Sequence, residues 1–348
     1  MRLLCLPGDG IGPEIMTATQ KVVQAACGEA VGFEMAKIGF DALKAAGTTI
    51  PKAVLELCDV ADGVILGPVS HNAYPPLSEG GLNPSGVIRK HLGLFANIRP
   101  ARSFDGVPKP IQQDVDLVVM RENLEGFYAD RNMHAGSGEV MPVPGVALAT
   151  RKITAEGSAR IAQATFDLAR REGRKRVTAV HKANVMRLSD GLFLDEVRKV
   201  AAEYADIAYD EVLVDAAAAL LVRDPSRFGV IVTTNMFGDI LSDLASELAG
   251  GLGLAASLNL GATNAVAQAQ HGSAPDIAGQ HRANPVSLIL SSAMLLRHLG
   301  AADAADRIGT AVTEALRQPE TRTADLQGTL GTQAFATNLC TLIARTGP

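Results

Sequence analysis

The sequence has few aromatic residues, no tryptophan and no long, strictly apolar run. Aromatic residues make up 4% of its 348 residues and hydrophobic residues 47%, so Ala, Val, Leu and Ile have to build the core. Such a core is typical of buried parallel strands covered by helices. An apolar run such as "AAAALLV" at 216–222 is far too short to cross a bilayer. The length allows two domains or one large α/β domain.

Charge and cysteine are also limited. The formal net charge of −5, without a block of like charges, argues against a general nucleic-acid binder. The opening "MRLLCLPGDG" holds an apolar run too short for a signal peptide. No CxxC pair or His at metal-ligand spacing accompanies the cysteines, which favours a reducing, cytoplasmic location. The cysteines are Cys5, Cys27, Cys58 and Cys340.

Short apolar runs alternate with longer amphipathic patterns such as "EGSARIAQATFDLARREG". The runs are "LLCLPG", "GVILGPVS", "DLVVMREN", "VTAVHKAN" and "GVIVTTN". This alternation predicts an α/β architecture with a mostly parallel sheet, whose ligand crevice lies at the carboxyl ends of the strands. The segment 99–114 is expected to connect two lobes, and "MHAGSGEVMPVPG" at 133–145 to form a protruding loop or hairpin arm.

The opening "LPGDGIGPEI" resembles a dinucleotide fingerprint, but its glycines follow GxGxG rather than GxGxxG. No acidic residue ends a second strand about 20 residues later, and no GK[ST] follows, which excludes a Rossmann fingerprint and a P-loop. Two interpretations remain. One is a tight turn from strand to helix with Pro13 in the first helical turn, and the other is a loop that contacts phosphate or ribose.

"MFGDILSDLASE" places Asp239 and Asp243 on one face of a helix, where like charges repel. Favourable interaction with the helix dipole is one explanation, and a cation between the carboxylates is the other. A third acid, Asp215, follows the apolar run "EVLV", where a carboxylate is costly unless it is paired or bound to a metal. Three carboxylates at the ends of strands suit Mg²⁺ or Mn²⁺.

Basic and phenolic side chains also follow apolar runs. Arg89, Arg99 and Arg121 taken singly are ordinary surface or ion-paired residues, but together with the acids they suggest capture of an anionic substrate. Tyr128 and Lys182 are candidates for proton transfer, and ordinary packing or a surface amine is the alternative explanation for each.

Seven motifs then occur in a characteristic order. They are "PGDGIGPEI", "LFANIRPAR", "RENLEGFY", "HKANVM", "TTNMFGDILSDLA", "GGLGLAASLNLG" and "HGSAPDIAGQHRANP". In this order they resemble the isocitrate/isopropylmalate family of β-decarboxylating dehydrogenases, which also includes homoisocitrate, tartrate and D-malate enzymes. The resemblance runs from about Leu3 to "ADLQGTLGT" near the C-terminus.

The resemblance implies an α/β, isopropylmalate dehydrogenase-like fold in which two lobes share a large mixed sheet, unlike a Rossmann fold. The first lobe would comprise 1–95 and 247–348 and carry the NAD-binding loops. The second, 96–246, would carry the dimer interface and the metal and substrate residues. In the implied homodimer, Asp239 and Asp243 of one subunit meet Lys182 and Asp215 of the partner subunit, so a monomer should be inactive.

The implied reaction is the oxidative decarboxylation of a malate substituted at C3, with its hydroxyl and α-carboxylate on Mg²⁺ or Mn²⁺. Arg89, Arg99 and Arg121 would bind the carboxylates, Arg121 holding the one that leaves as CO₂. Lys182 would be the base for the C2 hydroxyl, and Tyr128 would donate a proton to the enolate.

The implied cofactor is NAD. Asp276 can bond both ribose hydroxyls of NAD and would repel a 2′-phosphate, and NADP enzymes of the family carry Lys and Tyr where this chain has Asp276 and Ile277. Gln268 stands where many relatives have Glu, close to the contacts with the nicotinamide ribose. The implied cofactor-binding residues are Ile11, Ser70, His271, Gly272, Ser273, Ala274, Asp276, Ile277 and Asn284.

Substrate choice is expected to lie in "GGLNPSGVIR". Isopropylmalate enzymes have an acid and two leucines where this chain has Leu82, Ser85 and Gly86, and isocitrate enzymes have Ser and Asn at the positions of Asn83 and Ser85. Hydroxyl and amide donors favour a polar or carboxylated substituent, which indicates an isocitrate- or homoisocitrate-like substrate.

Other functions remain as alternatives. Within the family they are a 3-isopropylmalate, tartrate or D-malate dehydrogenase and a non-catalytic regulatory subunit. A subunit without activity is expected to lack the tyrosine, the lysine or the metal carboxylates, all of which this chain has. A plain nucleotide-binding module would leave the arginine and carboxylate sets unexplained.

Overall fold

The structure, a computed structural model, describes residues 1–128 and 138–345. The strands in these residues are β1 (Arg2–Leu6), β2 (Gly32–Met35), β3 (Gly63–Leu66), β4 (Ala96–Arg102), β5 (Asp116–Glu122), β6 (Glu139–Val143), β7 (Val146–Ala149), β8 (Arg176–His181), β9 (Ala208–Leu213), β10 (Val230–Thr233), β11 (Leu258–Leu260) and β12 (Ala265–Gln268). The α-helices are α1 (Gly12–Cys27), α2 (Phe40–Ala46), α3 (Lys52–Val60), α4 (Pro84–His91), α5 (Ala155–Arg171), α6 (Ser189–Ala201), α7 (Val214–Arg223), α8 (Asn235–Ala249), α9 (Val286–His298), α10 (Ala302–Arg317) and α11 (Thr332–Arg345).

The chain divides into two compact units. Unit one comprises Met1–Leu92, Ser103–Lys109 and Gly250–Pro348, and unit two comprises Gly93–Arg102 and Pro110–Ala249. Two of the boundaries, after Arg102 and after Lys109, lie within the Pro- and Gly-containing segment 99–114.

Unit one contains the strand order β2-β1-β3-β12-β11. β1 pairs in parallel with β2 and with β3, β12 pairs in parallel with β3, and β11 runs antiparallel to β12. α1 packs against α9, α10 and α11, with Ile15, Val22 and Val23 fully buried at helical spacing, and Pro13 occupies its first turn without losing a hydrogen bond. The carboxyl ends of β3 and β12 lead into the segments with Ser70 and His271.

Unit two contains the order β4-β5-β10-β8-β9. β4 is antiparallel to β5, whereas β5, β10, β8 and β9 are parallel to their neighbours. α8 buries Leu241, Ala245 and Leu248 in the core of this unit, against strand residues such as Leu117 and Val119. Because these helix positions recur every three or four residues, the half-exposed Asp239 and Asp243 share another face of α8.

The predicted α/β class with a mixed sheet is confirmed, and each of the five apolar runs contains a strand. β6 lies in the arm predicted at 133–145 and forms a separate antiparallel hairpin with β7, which begins just after that segment; residues 133–137 lie outside the described part. No helix of the described residues has both the length and the apolar character needed to cross a membrane.

Candidate active site

Asp239 on α8 is the centre of a cluster of charged and phenolic side chains in unit two. Its Oδ1 accepts hydrogen bonds from Arg99 Nη1 at 3.1 Å and from Arg121 Nη1. Its Oδ2 accepts from the Tyr128 hydroxyl at 3.2 Å. Asp243, one turn later, lies 3.3 Å from Arg99 Nη1. Three of the residues selected from the sequence therefore meet around the Asp239 carboxylate, and Asp243 joins them through Arg99.

Arg99 comes from β4, and its charge is held in a buried position. It also bonds Asn97 through Nε and the Ser242 hydroxyl through Nη1 at 2.7 Å. Burial, together with the like charge of Arg121, lowers the pKa of Arg99 to about 10, so the guanidinium stays cationic at neutral pH. The carboxylates oppose this shift, and they provide the ion pairing that a buried cation requires.

Arg121, at the end of β5, is held by the start of α8. The Asn235 side-chain oxygen accepts from its Nε at 3.0 Å and its Nη2 at 2.8 Å. A side chain at Gly238 would bring a Cβ atom to 2.7 Å from the Arg121 side chain, so this helix position has to be glycine to leave room for Arg121. The guanidinium lies 5.7 Å from the centre of the Tyr128 ring, within the range of a cation–π interaction.

Lys182 and Asp215 form a second pair in unit two. Lys182 Nζ lies 2.6 Å from Asp215 Oδ1, and the hydrogen bond from Lys182 lowers the pKa of Asp215. The backbone N–H of Lys182 donates to the fully buried Asp190, which is also paired with Arg151. The lysine therefore sits on a fixed backbone, while its amine and the 67% exposed Asp215 side chain face outward.

The donor set of α8 fits a hard divalent cation. Asp239 and Asp243 offer half-exposed carboxylate oxygens one helical turn apart, and such oxygens are the ligands that Mg²⁺ and Mn²⁺ prefer. Within the described part of one chain, no three acidic, histidine or cysteine side chains gather into a metal site. The predicted three-carboxylate site is thus not formed by a single chain in this part, and the prediction that Asp215 comes from a partner subunit remains a prediction.

In unit one, the residues selected for substrate choice lie at and within α4. The Asn83 side chain caps the helix by accepting from the Gly86 N–H at 3.3 Å. Ser85 and Arg89 are buried one turn apart. Both contact Gln268 at the end of β12: Ser85 Oγ lies 3.1 Å from Nε2, and Arg89 Nη2 lies 3.1 Å from Oε1. Gln268 is thus a direct neighbour of both substrate candidates.

The glycine-rich opening is a tight turn that packs against a second loop. Gly8 and Gly10 have positive φ, and a Cβ atom on Gly10 would collide with the Ser273 carbonyl oxygen. The Ile11 N–H donates to that carbonyl at 2.9 Å. The hydroxyls of Ser70 and Ser273 lie 2.7 Å apart. Three of the residues selected for cofactor binding are therefore neighbours, which is compatible with both interpretations of the opening.

The loop after β12 fits a nucleotide. His271 Nδ1 lies 2.9 Å from the Gly272 carbonyl oxygen, and burial lowers the pKa of His271, so its ring is neutral at neutral pH. Its Nε2 is buried and has no hydrogen-bond partner among the described residues, which leaves an acceptor for a bound group. Asp276 is exposed, and Asn284 donates to Asp325 at 2.9 Å. The remaining members of this set also lie in this loop: Gly272, Ala274 with φ 36°, and Ile277 in a short 3₁₀ turn.

Several residues of these clusters were missed in the sequence. Asn97, Asn235 and Ser242 orient the two arginines, and Asp9 accepts from the N–H groups of Phe40 and Ser70 at 2.9 and 2.8 Å. All four residues lie inside the motifs quoted above, so motif membership was an available signal. Their partners could not be predicted, since contacts such as those of Asn97 and Ser242 depend on how β4 and α8 pack.

Comparison with solved structures places this fold among decarboxylating dehydrogenases. The chain matches isocitrate dehydrogenase from Methylococcus capsulatus with a TM-score of 0.90 and 41% identity, over 98% of this chain and 99% of that one. It matches the TT0538 protein from Thermus thermophilus with a TM-score of 0.89 and 38% identity, over 98% and 68%.

The family model for isocitrate/isopropylmalate dehydrogenase matches residues 2–340, and the chain belongs to that family. It is therefore an oxidoreductase that acts on a CH–OH group with a decarboxylating step. It is 42% identical to 3-isopropylmalate dehydrogenase of Archaeoglobus fulgidus, over 98% of this chain and 99% of that protein. It is 40% identical to the probable NAD isocitrate dehydrogenase subunit alpha of Caenorhabditis elegans, over 97% and 91%. The predicted family is confirmed, whereas the relatives divide between two substrates.

Proposed function

We propose that this enzyme catalyses the NAD-dependent oxidative decarboxylation of an isocitrate- or homoisocitrate-like 3-substituted malate to a 2-oxo acid, CO₂ and NADH. The observation that carries the proposal is the convergence of Arg99, Arg121 and Tyr128 on Asp239. This arrangement combines cations for substrate carboxylates, an acid–base group and oxygen ligands for a divalent cation within hydrogen-bond distance of one another.

The site is proposed to be completed in a homodimer. The exposed Asp215 of the partner subunit would join Asp239 and Asp243 to hold Mg²⁺ or Mn²⁺. Unit two has the apolar surface that such an interface needs, on the hairpin arm and around α6–α8. Its large exposed hydrophobic side chains there are Val140, Met141, Val143, Val146, Leu148, Val185, Leu188, Val222 and Ile240. A two-stranded hairpin with such a surface is also marginal on its own, which favours its packing against another chain.

The protein groups then have separate tasks. Arg99 and Arg121 would hold substrate carboxylates, with Arg121 on the group that leaves as CO₂. Lys182 of the partner subunit would take the proton of the C2 hydroxyl, and Tyr128 would deliver a proton to C3 of the enolate. When bound, the cation would supply Lewis-acid stabilisation of negative charge on the C2 oxygen, and NAD would accept the hydride.

NAD is proposed over NADP. The exposed Asp276 carboxylate can accept from both ribose hydroxyls, and its charge would repel a 2′-phosphate. The neutral His271, whose buried Nε2 is left as an acceptor by the described residues, suits an amine donor of the adenine ring. Ile11, Ser70, Ser273 and Asn284 would complete this surface.

The polar surface of α4 favours the isocitrate-like substrate. Ser85 and Arg89 place a hydroxyl and a guanidinium on one side of the helix, and Asn83 adds an amide at its start. An apolar isopropyl group would displace water from these groups without offering a hydrogen bond in return, an unfavourable exchange that a polar or carboxylated substituent avoids. The 42% identity to an isopropylmalate dehydrogenase makes 3-isopropylmalate the second candidate.

The test is an absorbance assay for NADH with Mg²⁺ or Mn²⁺ and a panel of isocitrate, homoisocitrate, 3-isopropylmalate, D-malate and tartrate. We expect the highest kcat/KM for isocitrate or homoisocitrate, loss of turnover with EDTA, and recovery when the cation is restored. A clear preference for 3-isopropylmalate would contradict the proposed substrate.

A further inference from the structure

The side-chain amide of Gln268 joins the end of β12 to α4 within unit one. Its Oε1 lies 3.1 Å from Arg89 Nη2 and 3.4 Å from Asn259 Nδ2. Its Nε2 lies 3.1 Å from Ser85 Oγ. Ser85 and Arg89 are 7% and 8% exposed, so this amide is a principal neighbour of two buried polar groups.

These contacts fix which way the amide faces. Arg89 and Asn259 both present N–H donors, so the oxygen of Gln268 has to point toward them and its NH₂ group toward Ser85. Ser85 Oγ then accepts a hydrogen bond from Nε2. The hydroxyl proton rotates between Gln268 Oε1, 3.2 Å away, and any stronger acceptor that enters the site. A carboxylate is such an acceptor, since charge-assisted hydrogen bonds are about twice as strong as neutral ones.

A glutamate at this position would act differently. It offers only acceptors, so Ser85 would have to donate its single proton to it and could not donate to a ligand. Its negative charge would also lie beside the Arg89 guanidinium and weaken the attraction of Arg89 for an incoming carboxylate. Gln268 bonds the same two side chains without adding any charge.

We propose that Gln268 is a positioning residue that sets substrate preference: it keeps Ser85 a hydrogen-bond donor and Arg89 a cation for a carboxylate on the C3 substituent. This rests on the proposed function, in which Ser85 and Arg89 contact that substituent. A substrate without the extra carboxylate gains little from this arrangement.

The test compares the isosteric variant Q268E with the wild-type enzyme on isocitrate and on D-malate, with Mg²⁺ and NAD. We expect the ratio of kcat/KM for isocitrate to that for D-malate to fall tenfold or more in Q268E, chiefly through a higher KM for isocitrate. A purely structural role would lower both kcat/KM values together and leave the ratio unchanged, which would overturn the proposal.

Two further single variants and one double variant sharpen the comparison. Q318E adds the same charge at an exposed position after α10, and it should leave the ratio at the wild-type value. Q268M removes the amide without adding charge, and should lower the ratio less than Q268E; if Q268E does not fold, an unchanged ratio in Q268M contradicts the proposal. In an S85A background, Q268E should have a smaller effect, since the two residues are coupled.

The wild-type enzyme separates this inference from the proposed function. A wild-type preference for 3-isopropylmalate overturns both. A wild-type preference for isocitrate that Q268E leaves intact overturns only the role of Gln268.

Discussion

Two buried arginines, Arg99 and Arg121, both bond to the half-exposed carboxylate of Asp239, which provides the negative charge that they need. Arg99 and Arg121 are 7% and 3% exposed, and a buried guanidinium without an anionic partner is strongly unfavourable. In the proposed function, the arginines would exchange an aspartate for a substrate carboxylate while the aspartate oxygens bind a cation. Substrate binding and stability would then depend on the same side chains.

Glu122 is a buried acid beside this cluster that the sequence did not single out. It accepts from the N–H groups of Leu124 and Glu125 at 2.9 and 2.7 Å, and burial raises its pKa to about 7 in spite of these bonds. Because this folded-state pKa lies above its ordinary value of 4.5, the folded protein holds the proton more tightly than the unfolded chain. The resulting stabilisation is complete below about pH 4.5 and is lost as the pH rises through about 7.

The variant E122Q tests this linkage. Glutamine cannot titrate, so the free energy of unfolding of the wild type should fall relative to the variant by on the order of 2 kcal/mol between pH 5 and pH 8. Urea denaturation at both pH values measures it. Comparing the change with pH avoids the constant cost of replacing one acceptor oxygen by NH₂. Parallel pH dependence in the two proteins would show that Glu122 does not titrate in this range.

At the scale of elements, α8 both packs on the core and carries the carboxylates. Gly238 leaves room beside Asp239 for its partner Arg121, because a Cβ at position 238 would lie 2.7 Å from the Arg121 side chain. G238A should therefore lower kcat/KM about tenfold or more and reduce Tm, although alanine is favoured in a helix by about 1 kcal/mol. A Cβ on Gly309, within α10, would meet no side chain of the described residues within 4 Å, so G309A should raise Tm and leave activity unchanged. Equal effects of the two changes would contradict this role of Gly238.

Elements were the most predictable level. Runs such as "DLVVMREN" and "GVIVTTN" could be assigned to strands because buried parallel strands need continuous apolar residues, and the spacing of Asp239 and Asp243 defined their common face. Contacts between elements could not be predicted. The meeting of Arg99 and Arg121 depends on the antiparallel register of β4 and β5, in which Asn97 is opposite Arg121. The link from Gln268 to Ser85 spans 183 residues and needs the folded unit.

At the scale of the whole molecule, the proposed active site depends on a second copy of the chain. Within the described residues of one chain, Lys182 pairs with Asp215, and Asp239 pairs with Arg99, Arg121 and Tyr128. The sequence of one chain identifies both groups of residues, but its composition and motif spacing do not indicate that the groups meet in a dimer. That prediction came only from the family resemblance, which implies a symmetric homodimer.

Subunit mixing tests the shared site most directly. K182M and D239N should each be inactive as homodimers. In a refolded one-to-one mixture, each mixed dimer should contain one intact site, made of Asp239 from one chain and Lys182 from the other, so activity should return to about a quarter of the wild-type value. A mixture as inactive as its two components, with mixed dimers present by mass spectrometry, would contradict a site shared between subunits.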